Sequence, residues 1–142
     1  TKEKEKFQYK YLDYYKVFFP QLFFVITVDS QVKGYICGIS EILKDKKSFE
    51  ISSHLHAFKD LYKKFPAHLH INMASDSRGM GLGSILINHF EKLLKERSIV
   101  GMHIITSPKA QNIRFYTKNH FKFSKHASYK SINYLFMGRS LT

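Results

Sequence analysis

The amino-acid sequence predicts a single α/β domain. Its clearest block, residues 67–106, reads as strand, glycine-rich loop, helix and strand in succession. Upstream, two apolar segments flank a polar DSQVKG turn, the pattern of an antiparallel hairpin, and two further strand patterns close the chain. The 142 residues suffice for one domain with a substantial core and hardly for two. No repeat, low-complexity tract or proline-rich linker divides them.

Taken in order, the opening TKEKEKFQYKYLDYYKVFF sets Phe7, Tyr11, Tyr14, Tyr15 and Phe18 at spacings of three and four. That predicts an amphipathic helix to about Phe19, stopped by Pro20. LFFVITVD reads as a buried strand and GYICGISE as its antiparallel partner, with Gly38 marking a bulge. Over residues 52–64, Leu55, Phe58, Leu61 and Tyr62, with Phe65 just beyond, predict a helix capped by Ser52 or Ser53 and closed by Pro66. AHLHINM then alternates as a strand does, with His68, His70 and Asn72 on one face and Leu69, Ile71 and Met73 on the other. The loop ASDSRGMGLGS runs into a helix whose Leu86, Phe90, Leu93 and Leu94 form an apolar stripe. VGMHIIT is a second buried strand, AQNIRFYTKNH a short helix, and FKFSKHASY and NYLFMGRS the last two strands.

Composition narrows the function classes. Hydrophobic residues at 44% and charged residues at 24% exclude disordered and collagen-like chains. No apolar run approaches the roughly 18 residues of a membrane span, and the longest, 17–28, is broken by Pro20, Gln21 and Thr27. The first residues, TKEKEK, lack the apolar core of a signal peptide. Cys37 is the one cysteine and has no intrachain partner, which fits a reducing compartment, so a cytoplasmic protein without membrane association is expected. Lys and Arg number 23 against 11 Asp and Glu, a net charge of +12 that favours anionic partners. The basic residues are scattered, with no long run and no zinc-finger spacing. A solvated basic surface accounts for them, with a nucleic-acid face as the alternative.

The segment Arg78-Gly79-Met80-Gly81-Leu82-Gly83-Ser84 carries the chemistry. Glycines at alternate positions let the backbone turn sharply and present its N–H groups, and the following helix adds its unpaired N-terminal N–H groups and the positive end of its dipole. Together they form an anion cradle, with Arg78 beside it for a charge-assisted contact. A Walker loop would need Lys before Ser84, and a Rossmann fingerprint an acidic residue about twenty positions on, ending the next strand. Gly83 and the carboxylate-free stretch 99–106 meet neither requirement.

Arg78-x-x-Gly81-x-Gly83, placed between a strand and a long helix, resembles the Arg/Gln-x-x-Gly-x-Gly/Ala signature of the GNAT acyltransferase family. Ile113-Arg114-Phe115-Tyr116 and the residues after it are similar to that family's Ala-Ile-Arg-Phe-Tyr-Glu-Lys-Leu-Gly-Phe segment, and the likeness covers about 10–137. Within the family, residues 66–71 and the loop most resemble the acetyltransferase-like branch that includes C-terminal domains of O-GlcNAcases. The resemblance implies a mixed, mostly antiparallel sheet with helices on both faces. Its central parallel strands, near 68–73 and 100–106, would splay apart to admit a pantetheine arm. A β-bulge in the first of these strands is part of the family pattern. On that pattern the usual first strand and helix would precede Thr1, so they are expected to be missing or divergent here.

The resemblance also implies acetyl-CoA as co-substrate, its pyrophosphate held by Arg78, Gly79, Met80, Gly81, Leu82, Gly83 and Ser84. A backbone N–H in the stretch Ile71, Asn72, Met73 would polarise the thioester carbonyl, and Tyr116 would protonate the leaving thiolate. Read from the residues alone, Tyr116 can equally be a packing residue of its short helix. Asn72 stands where relatives often carry Asp, and Ala67–Met73 contains no carboxylate, so the base would be a water chain, His68 or His70. Both histidines could also be purely structural. Lys109 replaces the family's asparagine seven residues before the tyrosine, and can meet a cofactor phosphate or sit on the surface; His120 replaces the glycine before Phe121. The pairs His54/His56 and His68/His70 lack a completing Cys or carboxylate in sequence, and no metal is expected.

The expected function is therefore direct transfer of an acetyl group from acetyl-CoA to a primary amine. A non-catalytic acetyl-CoA-binding module and a basic nucleic-acid-binding domain are the alternatives. The basic surface points to an anionic acceptor or an acidic protein, and nothing in the sequence sets the oligomeric state.

Overall fold

The computed structural model describes residues 12–142. Its strands are β1 (Phe23–Val28), β2 (Gln31–Ile39), β3 (Ala67–Met73), β4 (Gly101–Thr106), β5 (Phe123–Tyr129) and β6 (Ile132–Ser140). They form one sheet in the order β1-β2-β3-β4-β6-β5, antiparallel throughout except between β3 and β4. The helices are α1 (helical over 12–18), α2 (Lys46–Ile51), α3 (Leu82–Glu96) and α4 (Ile113–Lys118). This is the mixed, mostly antiparallel α/β architecture that the sequence predicts.

Strand alternation divides the interior in two. On one face Ile36, Leu69, Ile104, Leu135 and Met137 pack against Leu86, Ile87, Phe90 and Leu94 of α3 and Tyr116 of α4. On the other, Cys37, Ile39 and Phe136 meet Tyr15 of α1 and Leu55, Phe58 and Tyr62 from the 46–66 connection. Both hairpins turn on two left-handed residues, Asp29 and Ser30 (φ 51° and 66°) and Lys130 and Ser131 (φ 48° and 66°). Their handedness matches the strand twist as type I′ turns do, here without glycine.

Four sequence expectations need correction. The single helix over 52–64 is instead α2 followed by a 3-10 run, Ser53–Leu61, kinked at Phe58. Leu55, Phe58 and Leu61 recur every three residues, the period that lines one side of a 3-10 turn, and Asp45 rather than a serine caps the preceding helix. Gly38 marks no bulge: the β2–β3 register runs unbroken from Gly34↔Met73 to Ile39↔His68. A Cβ at Gly38 would lie 2.1 Å from the His68 carbonyl oxygen, so close backbone approach requires the glycine. The same unbroken register removes the expected bulge from β3, and the sheet's irregularity lies at Ile26/Thr27. In the first helix Phe18 is 65% exposed rather than part of the buried stripe; Phe7 and Tyr11 lie outside the described residues.

One feature positions the site. The parallel strands β3 and β4 pair only at Ala67↔Met102 and His68↔His103, and then diverge. From residue 69 onward the centre of the sheet is open.

Candidate active site

Amides on a strand point alternately to its two neighbours. Ala74 N–H donates to the Lys33 carbonyl on the β2 side at 2.7 Å, so Met73 and Ile71 direct their N–H groups the other way, into the gap beside β4. Two cavities meet there. One, about 740 Å³, lies between the end of β3, the α3 N-terminus and α4. The other, about 480 Å³, includes His54, His70 and Tyr134, and so opens toward the α1 side. Ile71, Asn72, Asn112 and Tyr116 line both.

The larger cavity has the form of an anion cradle. Gly79 and Gly81 take left-handed conformations (φ +85° and +76°), and a Cβ on either would meet nothing within 4 Å. The glycines thus supply backbone shape and leave the approach open. Gly83 serves packing: a Cβ there would fall 2.7 Å from the Phe115 ring, so α3 and α4 can close together only over a glycine. Gly81 is the N-cap of α3, no side chain caps its amides, and no acidic residue occupies the first turn. Asp76, the nearby loop carboxylate, is engaged by Lys33 at 2.9 Å, which holds its carboxyl below the ordinary value. The dipole end of α3 therefore faces the cavity without a local counter-charge.

Of the residues singled out from sequence, Ile71, Asn72, Met73, Arg78, Gly79, Gly81, Leu82, Gly83, Ser84 and Tyr116 line this cavity. Met80 is 57% exposed and, like exposed Lys109, is not among the lining residues. Lys118 and Asn112 do line it, and sequence reasoning passed over both. Asn112 precedes Tyr116 by one helical turn at the N-cap of α4, and Lys118 lies two residues beyond the tyrosine, offsets that mark them once the helix is placed.

Tyr116 is 4% exposed, and burial, reinforced by the Tyr35 phenol, raises its pKa well above the ordinary value. It is held as a neutral phenol, a proton donor. Asn72 is exposed and hydrogen-bonds Tyr35. Cys37 is fully buried and its thiol is pushed up to about 12, which leaves it unreactive.

Behind the smaller cavity stands a chain of imidazoles. His70 Nε2 lies 3.0 Å from His68 Nε2, His68 Nδ1 lies 2.9 Å from His103 Nε2, and His103 Nδ1 lies 2.6 Å from the Phe65 carbonyl oxygen. His68 and His103 are 1% and 0% exposed. Burial pushes His70 and His103 down to about 3 and His68 well below its ordinary value. The sequence placed His68 and His70 on one face; nothing in it tied them to His103, thirty-five residues on. No metal-binding group of three or more His, Cys, Asp or Glu occurs among the described residues. His68 meets its two neighbours through different nitrogens, so no single point is shared by all three rings.

The sheet thus opens between its two parallel strands, with an anion cradle at the start of the following helix. The chain belongs to the acetyltransferase (GNAT) family, whose model matches residues 2–121. Its fold is similar to the crystal structure of SsHAT, at TM-score 0.69 and 21% identity over 90% of this chain and 76% of that one. It is similar to Ard1 from Thermoplasma volcanium at TM-score 0.65 and 22% identity, over 92% of this chain and 78% of that one. An aminoglycoside 6′-N-acetyltransferase solved with coenzyme A matches at TM-score 0.59 and 14% identity, covering 83% and 71%. No curated protein matches the chain. The narrower likeness to the O-GlcNAcase-associated branch rests on sequence alone.

Proposed function

We propose that the protein transfers an acetyl group from acetyl-CoA to a primary amine by direct attack. The observation that carries this reading is the pair of cavities meeting through the β3–β4 gap at Ile71, Asn72, Asn112 and Tyr116. A donor bound on the α3 side and an acceptor bound on the α1 side would meet only there.

The residues fit the pyrophosphate of coenzyme A: uncapped amides at the start of α3, open glycines at 79 and 81, and the cations Arg78 and Lys118 at the cavity wall. When bound, acetyl-CoA supplies an activated thioester carbonyl. The amides of Ile71 and Met73 face the gap and would donate to its oxygen as charge develops. Tyr116 would give its phenolic proton to the departing sulfur. The strands close at His68↔His103, so an acyl donor entering the gap would meet the end of the opening there. A net charge of +12 favours an acidic acceptor, whose approach it would steer.

The test is consumption of acetyl-CoA with an acidic peptide bearing a free α-amine. Tyr116→Phe is expected to lower kcat at least tenfold, with little change in acetyl-CoA affinity. Equal kcat in the two proteins would remove Tyr116 from the reaction, whereas acetyl-CoA binding without turnover in either would favour a binding module.

A further inference from the structure

Proton transfer on the acceptor side is what the cavity walls leave unassigned. Among the described residues lining the smaller cavity there is no carboxylate, and its lining histidines are His54 and His70. His54 stacks on Tyr134 (4.6 Å, 8°), whereas His70 heads the imidazole chain.

The chain fixes its own protonation pattern. A carbonyl only accepts, so His103 carries its proton on Nδ1 and donates to Phe65. In a neutral ring His103 Nε2 then has the lone pair, so His68 carries its proton on Nδ1 and accepts on Nε2. His70 must in turn carry its proton on Nε2 and donate to His68; the Tyr15 hydroxyl, at 3.3 Å, is the longer contact of that nitrogen. The lone pair of His70 is thereby placed on Nδ1. No other all-neutral assignment satisfies the three contacts. Packing holds the rings in this order, with Phe136 stacked on His103 at 4.7 Å and Tyr62 at 5.0 Å. The last sheet pair before the gap, His68↔His103, is itself two members of the chain, so the imidazole chain begins where the sheet opens.

We propose that His70 accepts the proton of the amine, with His68 and His103 as positioning residues that hold it in the accepting tautomer. The proposal rests on the acetyl-transfer reading above. As the amine nitrogen bonds to the carbonyl carbon, it becomes a cation and must lose one proton. That proton passes to His70 Nδ1, directly or through whatever group donates there at rest. His68 and His103 take up no proton themselves; their contacts keep the lone pair of His70 on Nδ1. The C–S bond breaks with Tyr116 protonating sulfur, and the proton held by His70 returns through solvent to restore the phenol. One proton leaves the amine and one is gained by the thiol. Burial keeps the three rings neutral at pH 7, as the tautomer pattern requires.

The test combines ¹⁵N NMR of histidine-labelled protein at pH 7 with acetyl-CoA turnover on the acidic peptide, for wild type, H103Q, H103L and H70A. Gln at 103 can donate to Phe65 and accept from His68, preserving the pattern; Leu can do neither. The expected result is an Nε2–H tautomer for His70 in wild type and H103Q and a mixture in H103L. The kcat should lie within about threefold of wild type in H103Q, at least tenfold down in H103L and at least a hundredfold down in H70A, with acetyl-CoA affinity unchanged in all. An Nδ1–H tautomer at His70 in the wild type, or equal kcat in H103L and H103Q, overturns the proposal and leaves acetyl transfer standing. Wild-type protein that consumes no acetyl-CoA overturns the transfer reading, and the proton role with it.

Discussion

At the scale of single residues, the larger cavity separates two exposed lysines. Lys118 lines it from the last turn of α4, while Lys109 lies outside it in the preceding turn, with its amide donating to Ser107 Oγ. A cation beside an anionic ligand adds one contact even where water reaches it. Lys118→Ala is therefore expected to weaken CoA binding roughly three- to tenfold, the scale of a single net hydrogen bond of about 1 kcal/mol. Isothermal titration checks it, and an unchanged affinity would place the ligand's phosphates elsewhere. Sequence likeness points to Lys109 because it fills a motif position; the short, late start of α4 at Ile113 is what brings Lys118 forward instead. The positions of Tyr116 and the glycines at the cavity wall are legible in the sequence because they depend on local geometry. That of Lys118 is not, because its place depends on where a helix begins.

At the scale of elements, the segments read correctly are those whose period is unmistakable. The α3 stripe and the two-residue alternation of β3 both survive in the packing, with Leu69 toward α3 and His68 away from it. The 46–66 connection was misread because a spacing of three and a spacing of four look alike over ten residues. Its anchor is Asp45, whose carboxylate accepts from Ser48 N–H at 3.2 Å, from Ser48 Oγ at 2.6 Å and from the Tyr14 hydroxyl of α1 at 2.6 Å. Asp45→Ala removes a helix cap and a tie to α1 together. It is expected to cost about 1–2 kcal/mol, read as a lower urea midpoint with the slope unchanged. No loss of stability would mean that α2 is held by packing alone. The divergence of β3 from β4 had no signature in either strand's own residues. It is a relation between strands, and only the family likeness anticipated it.

At the scale of the whole molecule, three neutral histidines behind the smaller cavity tie stability to pH. Their folded pKa values lie below the ordinary value of 6.5, at about 3 for His70 and His103. Below pH 6.5 the unfolded chain therefore binds more protons than the folded one. Stability is greatest above that value and falls as the pH drops toward the folded pKa. Each proton of difference costs about 1.4 kcal/mol per pH unit. Carboxylates titrate mostly below pH 5, so lowering the pH from 7.5 to 5.5 isolates the histidines. The three together cost about 4 kcal/mol over that interval, so the melting temperature is expected to fall by about 12 °C, and a flat profile in scanning calorimetry would mean that the three rings take up protons while folded.

Calorimetric titration with acetyl-CoA asks whether the opened sheet and the glycine cradle bind it as proposed. Micromolar affinity is expected, and its loss in Gly81→Val, where φ of +76° disfavours any side chain although nothing lies within 4 Å to clash with it. Absence of heat at millimolar acetyl-CoA, or Gly81→Val binding as tightly as wild type, would contradict the proposal.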